Sequence, residues 1–99
     1  MKILNYLALT EFAGKYPQSA SALKAWREVV STAGWKNLAE VRKIYPHADL
    51  YKCCTVFNIG GNKYRLIAEI KYSTQIISIH HILTHAEYDK DKWKKGCEA

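Results

Sequence analysis

The sequence predicts an α+β fold in which N-terminal helices pack on a small antiparallel sheet. Three observations predict it. Apolar residues recur at helical spacing as far as Tyr45, and the stretch from Lys63 to Tyr72 alternates between faces. The strand-like segments after residue 50 are joined by links as short as Gly60-Gly61-Asn62 and Ser73-Thr74, too short for a helical crossover.

The elements follow in order. Met1 to Leu4 suits a short edge strand, and Asn5 is placed to cap the helix after it. Leu9, Phe12, Ala13 and Tyr16 give that helix one buried face; Gly14 weakens it and Pro17 ends it. A second helix is expected from Pro17 to Ala33, with Leu23, Trp26, Val30 and Ala33 as its apolar stripe. Gly34 suits a left-handed residue beyond its last turn. Leu38, Val41 and Tyr45 line a shorter helix closed by Pro46.

Thr55 to Ile59 reads as a strand. In Lys63 to Tyr72, residues Tyr64, Leu66, Ala68, Ile70 and Tyr72 share one face. Lys63, Arg65, Ile67, Glu69 and Lys71 share the other. Gln75 to Leu83 is the third strand of an antiparallel meander. Thr84 and Glu87 form a capping-box pattern for a last helix reaching Trp93, and the tail from Lys94 to Ala99 is expected to fray. Trp26 belongs in the core; Trp35 and Trp93 suit helix ends or a partner surface.

Length and composition bound the function. The 99 residues suit a single domain over 1–99, and 48% hydrophobic residues suffice for one core. No apolar run is long enough to span a bilayer, and the amino terminus lacks the pattern of a signal peptide, so a cytoplasmic protein without a membrane partner is expected. Three cysteines, two of them adjacent (Cys53 and Cys54, with Cys97), imply no disulfide framework, and three reduced thiols are expected. A zinc site from Cys53, Cys54 and nearby histidines is the alternative, without C-x-x-C or H-x-x-H spacing to support it. No metal and no cofactor are therefore expected. The net charge of +6 favours polyanions.

The charge gathers in the sheet. Lys63, Arg65 and Lys71 project to the face that the helices leave open. The next strand adds His80 or His81, which period-2 arithmetic sends to opposite faces without choosing between them. His85, Tyr88 and Asp89 follow. These are the parts for breaking RNA: an imidazole moves protons near neutrality, a guanidinium clamps phosphate oxygens, and a tyrosine holds a hydroxyl or stacks on a base. The plainer readings are solvated cations on a sheet face, packing histidines, and core tyrosines. The tail cations Lys90, Lys92, Lys94 and Lys95 suit a solvated face or RNA phosphates.

The stretch from Val56 to Leu66, Val-Phe-Asn-Ile-Gly-Gly-Asn-Lys-Tyr-Arg-Leu, resembles the motif leading into the sheet of HigB toxins. Thr84-His85-Ala86-Glu87-Tyr88-Asp89-Lys90 resembles their carboxy-terminal signature, and Lys15-Tyr16-Pro17 with the Leu38 to Pro46 helix is also similar. The likeness spans nearly the whole chain. It implies a RelE-like fold and a metal-independent endoribonuclease that cuts messenger RNA in the ribosomal A site, leaving a 2′,3′-cyclic phosphate. It also implies a HigA-type helix-turn-helix antitoxin as partner, the complex repressing its own operon.

Carried over residue by residue, Arg65 is the phosphate clamp, and His85 and Tyr88 are the catalytic residues of the terminal signature. Asn58 and Asn62 match the motif's asparagines, as RNA contacts or as turn residues. His80 stands where similar chains are expected to carry arginine, so it either takes over proton transfer or leaves the transition-state stabiliser unassigned. Lys63 and Lys71, with Lys92 and Lys94, are the remaining RNA-binding candidates. The rival expectation is a non-catalytic RNA- or ribosome-binding module that blocks translation without cutting.

Overall fold

The computed structural model describes residues 1–97. In chain order the elements are β1 (Lys2–Leu4), α1 (Leu7–Lys15), a 3-10 turn (Pro17–Ser19), α2 (Ala20–Thr32) and α3 (Leu38–Ile44). Then come β2 (Asp49–Tyr51), β3 (Cys54–Ile59), β4 (Tyr64–Lys71), β5 (Ile76–Thr84), α4 (His85–Asp89) and a second 3-10 segment (Lys92–Cys97). The fold is α+β, built on one five-stranded sheet of order β1-β5-β4-β3-β2. β2 to β5 run antiparallel in sequence, and β1 joins the β5 edge in parallel, which makes the sheet mixed.

The sheet has two covered faces. On one, Phe57, Ile59, Tyr64, Leu66, Ala68, Ile77 and Ile79 meet Leu9, Leu23, Trp26, Val30 and Val41 of the helices. The apolar stripes of α1 and α2 are those the spacing predicts, and Trp26 is fully buried. On the other, Cys54, Val56 and Ile67 pack against Trp93 and Cys97, with Tyr51, Leu83 and Tyr88 around them. The expectation that this second face lies open is therefore corrected: the chain after Thr84 folds back over it. Trp35 and Trp93, expected at helix ends or a partner surface, are each only 4% exposed and belong to the two cores.

That return changes the cysteine reading as well. Cys54 and Cys97 are joined in a disulfide across 43 residues, and Cys53 alone of the three is a free thiol. Three reduced thiols were expected because the neighbours Cys53 and Cys54 do not bridge each other; the actual partner is brought in by tertiary packing. The tail expected to fray from Lys94 is a 3-10 segment as far as the fully buried Cys97. Residues 98 and 99 of that expectation lie outside the described residues.

Local differences have local causes. Asn5 does not cap α1. It takes a left-handed φ of 64°, and its Nδ2 donates to the Ile79 carbonyl of β5 at 3.0 Å, which pins the turn between β1 and α1 against the sheet. Gly34 is not left-handed, because α2 ends on Ala33 in extended conformation. The last helix stops at Asp89 instead of reaching Trp93, and Asp91 at φ 59° turns the chain into the final segment.

Candidate functional site

The β4–β5 register explains how the site is assembled. Ile67 pairs with His81, but Ala68 pairs with Ile79, so His80 is an extra residue in β5. The bulge defeats period-2 arithmetic. Leu83 and His81 stand opposite Arg65 and Ile67, on the face covered by the C-terminal segment. His80 turns to that face too, with Nδ1 3.7 Å from Cys54 Sγ and Nε2 3.6 Å from a Glu69 carboxylate oxygen. The two histidines therefore share a face, where alternation had separated them. Partial burial, and then the neighbouring His80, hold the His81 imidazole below its usual pKa.

The covered face divides into two ends. At one end Asn58 pairs with Arg65 across β3 and β4, and the Gly60–Gly61 turn brings Asn62 back beside them. Both glycines have positive φ (63° and 71°), which a short return of this kind requires. Arg65 is 8% exposed, and its guanidinium is firmly held. Nη1 donates to the carbonyls of Asn62 (3.2 Å) and Tyr64 (3.1 Å), and Nη2 donates to Asn62 Oδ1 at 2.6 Å. Its Cζ lies 5.2 Å from the Tyr88 ring centroid.

Helix α4 supplies the imidazole. The Thr84–Glu87 capping box is formed as predicted: Glu87 N–H donates to Thr84 Oγ1 at 3.3 Å, and Thr84 N–H donates to Glu87 Oε1 at 3.0 Å. The bond from the Thr84 N–H foremost, with a second donated by the Thr84 hydroxyl to Glu87 Oε1 at 3.1 Å, holds the Glu87 carboxyl below the usual range. The cap fixes His85 at the first helical position, where its N–H donates to the Lys63 carbonyl at 3.1 Å. His85 Nδ1 sits 3.1 Å from Asp89 Oδ2, and both side chains are at least half exposed.

Tyr88 stacks on Trp93 with centroids 5.2 Å apart, and Trp93 meets Tyr51 edge-on at 5.3 Å. Trp93 Nε1 donates to the Tyr88 carbonyl at 3.1 Å. A row of rings thus runs under the C-terminal segment from Arg65 to Tyr51. Lys94 closes it, 5.0 Å from the Tyr51 ring and 3.3 Å from Asp91.

The structure thus brings Arg65, Asn58, Asn62, Lys63, His85 and Tyr88 to one end of the sheet. His80 belongs to the other end, beside Glu69, four residues or roughly 13 Å along β4 from Arg65. Lys71 lies farther still, roughly 20 Å along the strand. Lys92 lines a groove with Lys90, His81 and Glu87 along the outer side of α4. Sequence reasoning missed His47, which lines a depression of about 530 Å³ with Asn58, Gly61 and Asn62. It lies just after Pro46, in a connection with no periodicity to mark its direction.

Residues 19–91 match the family model of the HigB toxin, described as the RelE-like toxic component of a toxin–antitoxin system. The "mRNA interferase toxin HigB" of Escherichia coli K12 is 32% identical over 92 residues, 90% of this chain and 88% of the relative. The "mRNA interferase HigB" of Escherichia coli O6:H1 is 34% identical over 93 residues, 91% and 90% of the two chains. With a matched family and relatives of this closeness along nearly its whole length, the chain belongs to the HigB family of RelE-like toxins.

Proposed function

We propose that this chain is the toxin of a type II toxin–antitoxin pair, a single domain that cuts messenger RNA on the ribosome. The relatives are named mRNA interferases, and the carrying observation is the Arg65–Tyr88 contact beside the His85–Asp89 pair. Cleavage proceeds by attack of a ribose 2′-hydroxyl on the adjacent phosphate. The hydroxyl loses a proton, the 5′-oxygen gains one, and a five-coordinate phosphorane forms between them.

His85 is the proton-transfer group. It is solvent-facing, and Asp89 orients its Nδ1, which leaves Nε2 toward the substrate. Arg65, the cross-strand partner of Asn58, meets the phosphate at the edge of the depression that Asn58 and Asn62 line, held in one orientation by Asn62 and Tyr88 so that little motion is lost on binding. Lys63, Lys92 and Lys94 add positive charge along the RNA path; Lys71 contributes at the far rim. His85 is favoured over His80 for proton transfer because both His80 ring nitrogens already face groups of the protein. Metal independence follows from these roles, which imidazole and guanidinium suffice to fill.

Among the described residues, no helix is long and apolar enough to cross a membrane. The substrate places the chain in the cytoplasm, and its restraining partner is a HigA-type helix-turn-helix antitoxin. The test is induction of the wild type and of Arg65→Ala/His85→Ala, followed by mapping of messenger 5′ ends. Discrete new ends in the wild type that vanish in the double variant support the reading. Intact messages on stalled ribosomes would replace it with a blocking module that docks phosphates without cutting.

A further inference from the structure

The far end of the covered face holds a second cluster that the nuclease reading does not use. Cys54 Sγ, Cys97 Sγ and His80 Nδ1 all lie within 4.8 Å of one another. Cys53 Sγ lies outside that group of three but 3.9 Å from Cys54 Sγ, so it has to swing inward to complete a fourth position; His80 Nδ1 is 3.7 Å from Cys54 Sγ. Around a tetrahedral zinc ion, ligand atoms are separated by roughly 3.5–3.8 Å, given the usual Zn–S and Zn–N lengths. The other imidazole nitrogen, His80 Nε2, lies 3.6 Å from the Glu69 carboxylate. A carboxylate behind a metal-bound histidine is the usual means of fixing ring orientation and tautomer. Cys54 and Cys97 are fully buried, while Cys53 and His80 are partly exposed and give a path in.

We propose that the reduced form of this chain binds one zinc ion through Cys53, Cys54, Cys97 and His80, in exchange for the Cys54–Cys97 disulfide. The two states exclude each other, because a sulfur bonded to sulfur is no thiolate ligand. Disulfides are rare in reducing compartments, which is where the proposed function puts the protein; that point alone rests on the nuclease reading. There a cellular dithiol opens the bond: one thiolate attacks a sulfur, its second thiol releases the mixed disulfide, and two electrons pass to Cys54 and Cys97. The reductant leaves as a disulfide. Zinc then displaces the thiol protons to solvent without changing its own oxidation state. In either state Cys97 is tied to β3, so the Lys92–Cys97 segment stays on the sheet and Trp93 stays under Tyr88.

The test uses the full chain reduced with a phosphine and titrated anaerobically with Co²⁺, then with Zn²⁺. Expected are thiolate-to-cobalt charge-transfer bands that saturate at one ion per chain, visible-region bands of tetrahedral cobalt, and displacement by zinc. Glu69→Gln weakens zinc binding by about 10–100-fold, the usual effect of removing a carboxylate behind a metal-bound histidine. Cys53→Ser and His80→Ala, at partly exposed positions, each alter the tetrahedral cobalt spectrum and weaken binding further. Cys97→Ser does the same, and circular dichroism checks that each variant is folded. A folded, reduced chain with three titratable thiols and no charge-transfer band overturns the proposal. So does cobalt binding that survives Cys53→Ser or His80→Ala unchanged. Neither readout involves RNA, so failure here and failure of the nuclease reading are separate results.

Discussion

Arg65 on β4 faces the ring of Tyr88 on α4, its guanidinium carbon 5.2 Å from the ring centroid. Tyr88 in turn stacks on Trp93, which is only 4% exposed. The cation at the head of the candidate site is therefore supported from below by the second core. Its orientation depends on how the C-terminal segment docks.

The hydroxyl and the ring of Tyr88 are separable. Tyr88→Phe keeps the face presented to Arg65 and to Trp93, and is expected to leave stability within about 0.5 kcal/mol. Tyr88→Ala removes both contacts. A partly covered cation–π pair is worth about 1–2 kcal/mol, and the lost packing adds to that. Thermal melts and cleavage assays on the two variants check this. If Tyr88→Phe loses cleavage but not stability, the hydroxyl contacts the RNA; if only Tyr88→Ala does, the ring acts by holding Arg65.

Replacing Arg65 by lysine is expected to fail as a conservative change. The guanidinium spans the Asn62 carbonyl, the Asn62 side chain and the Tyr64 carbonyl at once. An ammonium on a flexible stem cannot reproduce that fork or lie flat on Tyr88. Arg65→Lys should cost about 1–3 kcal/mol, by the measure of a charged hydrogen bond lost in a covered site. Denaturant unfolding measures it. A lysine variant as stable as the wild type would show that the clamp carries no weight.

Much of this arrangement was legible in the sequence, for identifiable reasons. The stripes Leu9–Tyr16 and Leu23–Ala33 and the faces of β4 follow from period alone, and the Thr84–Glu87 box is a local pattern with a local cause. What the sequence hid was non-local. Nothing in Lys92–Cys97 announces that it crosses back over β3, so the Cys54–Cys97 bond and the buried Trp93 were unreadable. One bulge at His80 overrode alternation and put both histidines on one side. β2, three residues long, is too short to show a period, and His47 beside it shared that obscurity. Arg65 was singled out by strand alternation and by its motif, and Asn58 by the motif, but neither signal said that Arg65 would be almost covered.

Acid should loosen the cap of α4 before the rest of the fold. Glu87 ionises below the usual carboxylate range because its charged form accepts from the Thr84 backbone, with Thr84 Oγ1, Lys15 and Lys90 assisting. A carboxyl with a depressed folded pKa adds stability that is complete above its unfolded value, about 4.3. That stability is lost as pH falls through the folded value. Thr84→Ala, which removes the other half of the box, should cost about 1 kcal/mol. The protection of the His85 amide, taken relative to the intrinsic exchange rate at each pH, should fall in both acid and variant, since its bond to the Lys63 carbonyl depends on the same turn. Hydrogen exchange measured between neutral pH and pH 3 tests this. Unchanged protection at His85 while the cap is gone would disconnect the cap from the site.

His85 and Asp89 offer the sharpest separation of chemistry from stability. Their contact at 3.1 Å is an i,i+4 pair with both side chains at least half exposed, so breaking it should change stability by no more than about 0.5 kcal/mol. If His85 transfers a proton during cleavage, His85→Ala lowers the rate by about 10²–10⁴-fold without unfolding the chain. Asp89→Asn retains shape but no longer favours the Nδ1–H tautomer, and should lower the rate less. Rates on programmed ribosomes, with melts of the same preparations, check both. Full activity in His85→Ala would move proton transfer elsewhere, and His47 in the depression beside Asn58 and Asn62 would be the next imidazole to replace.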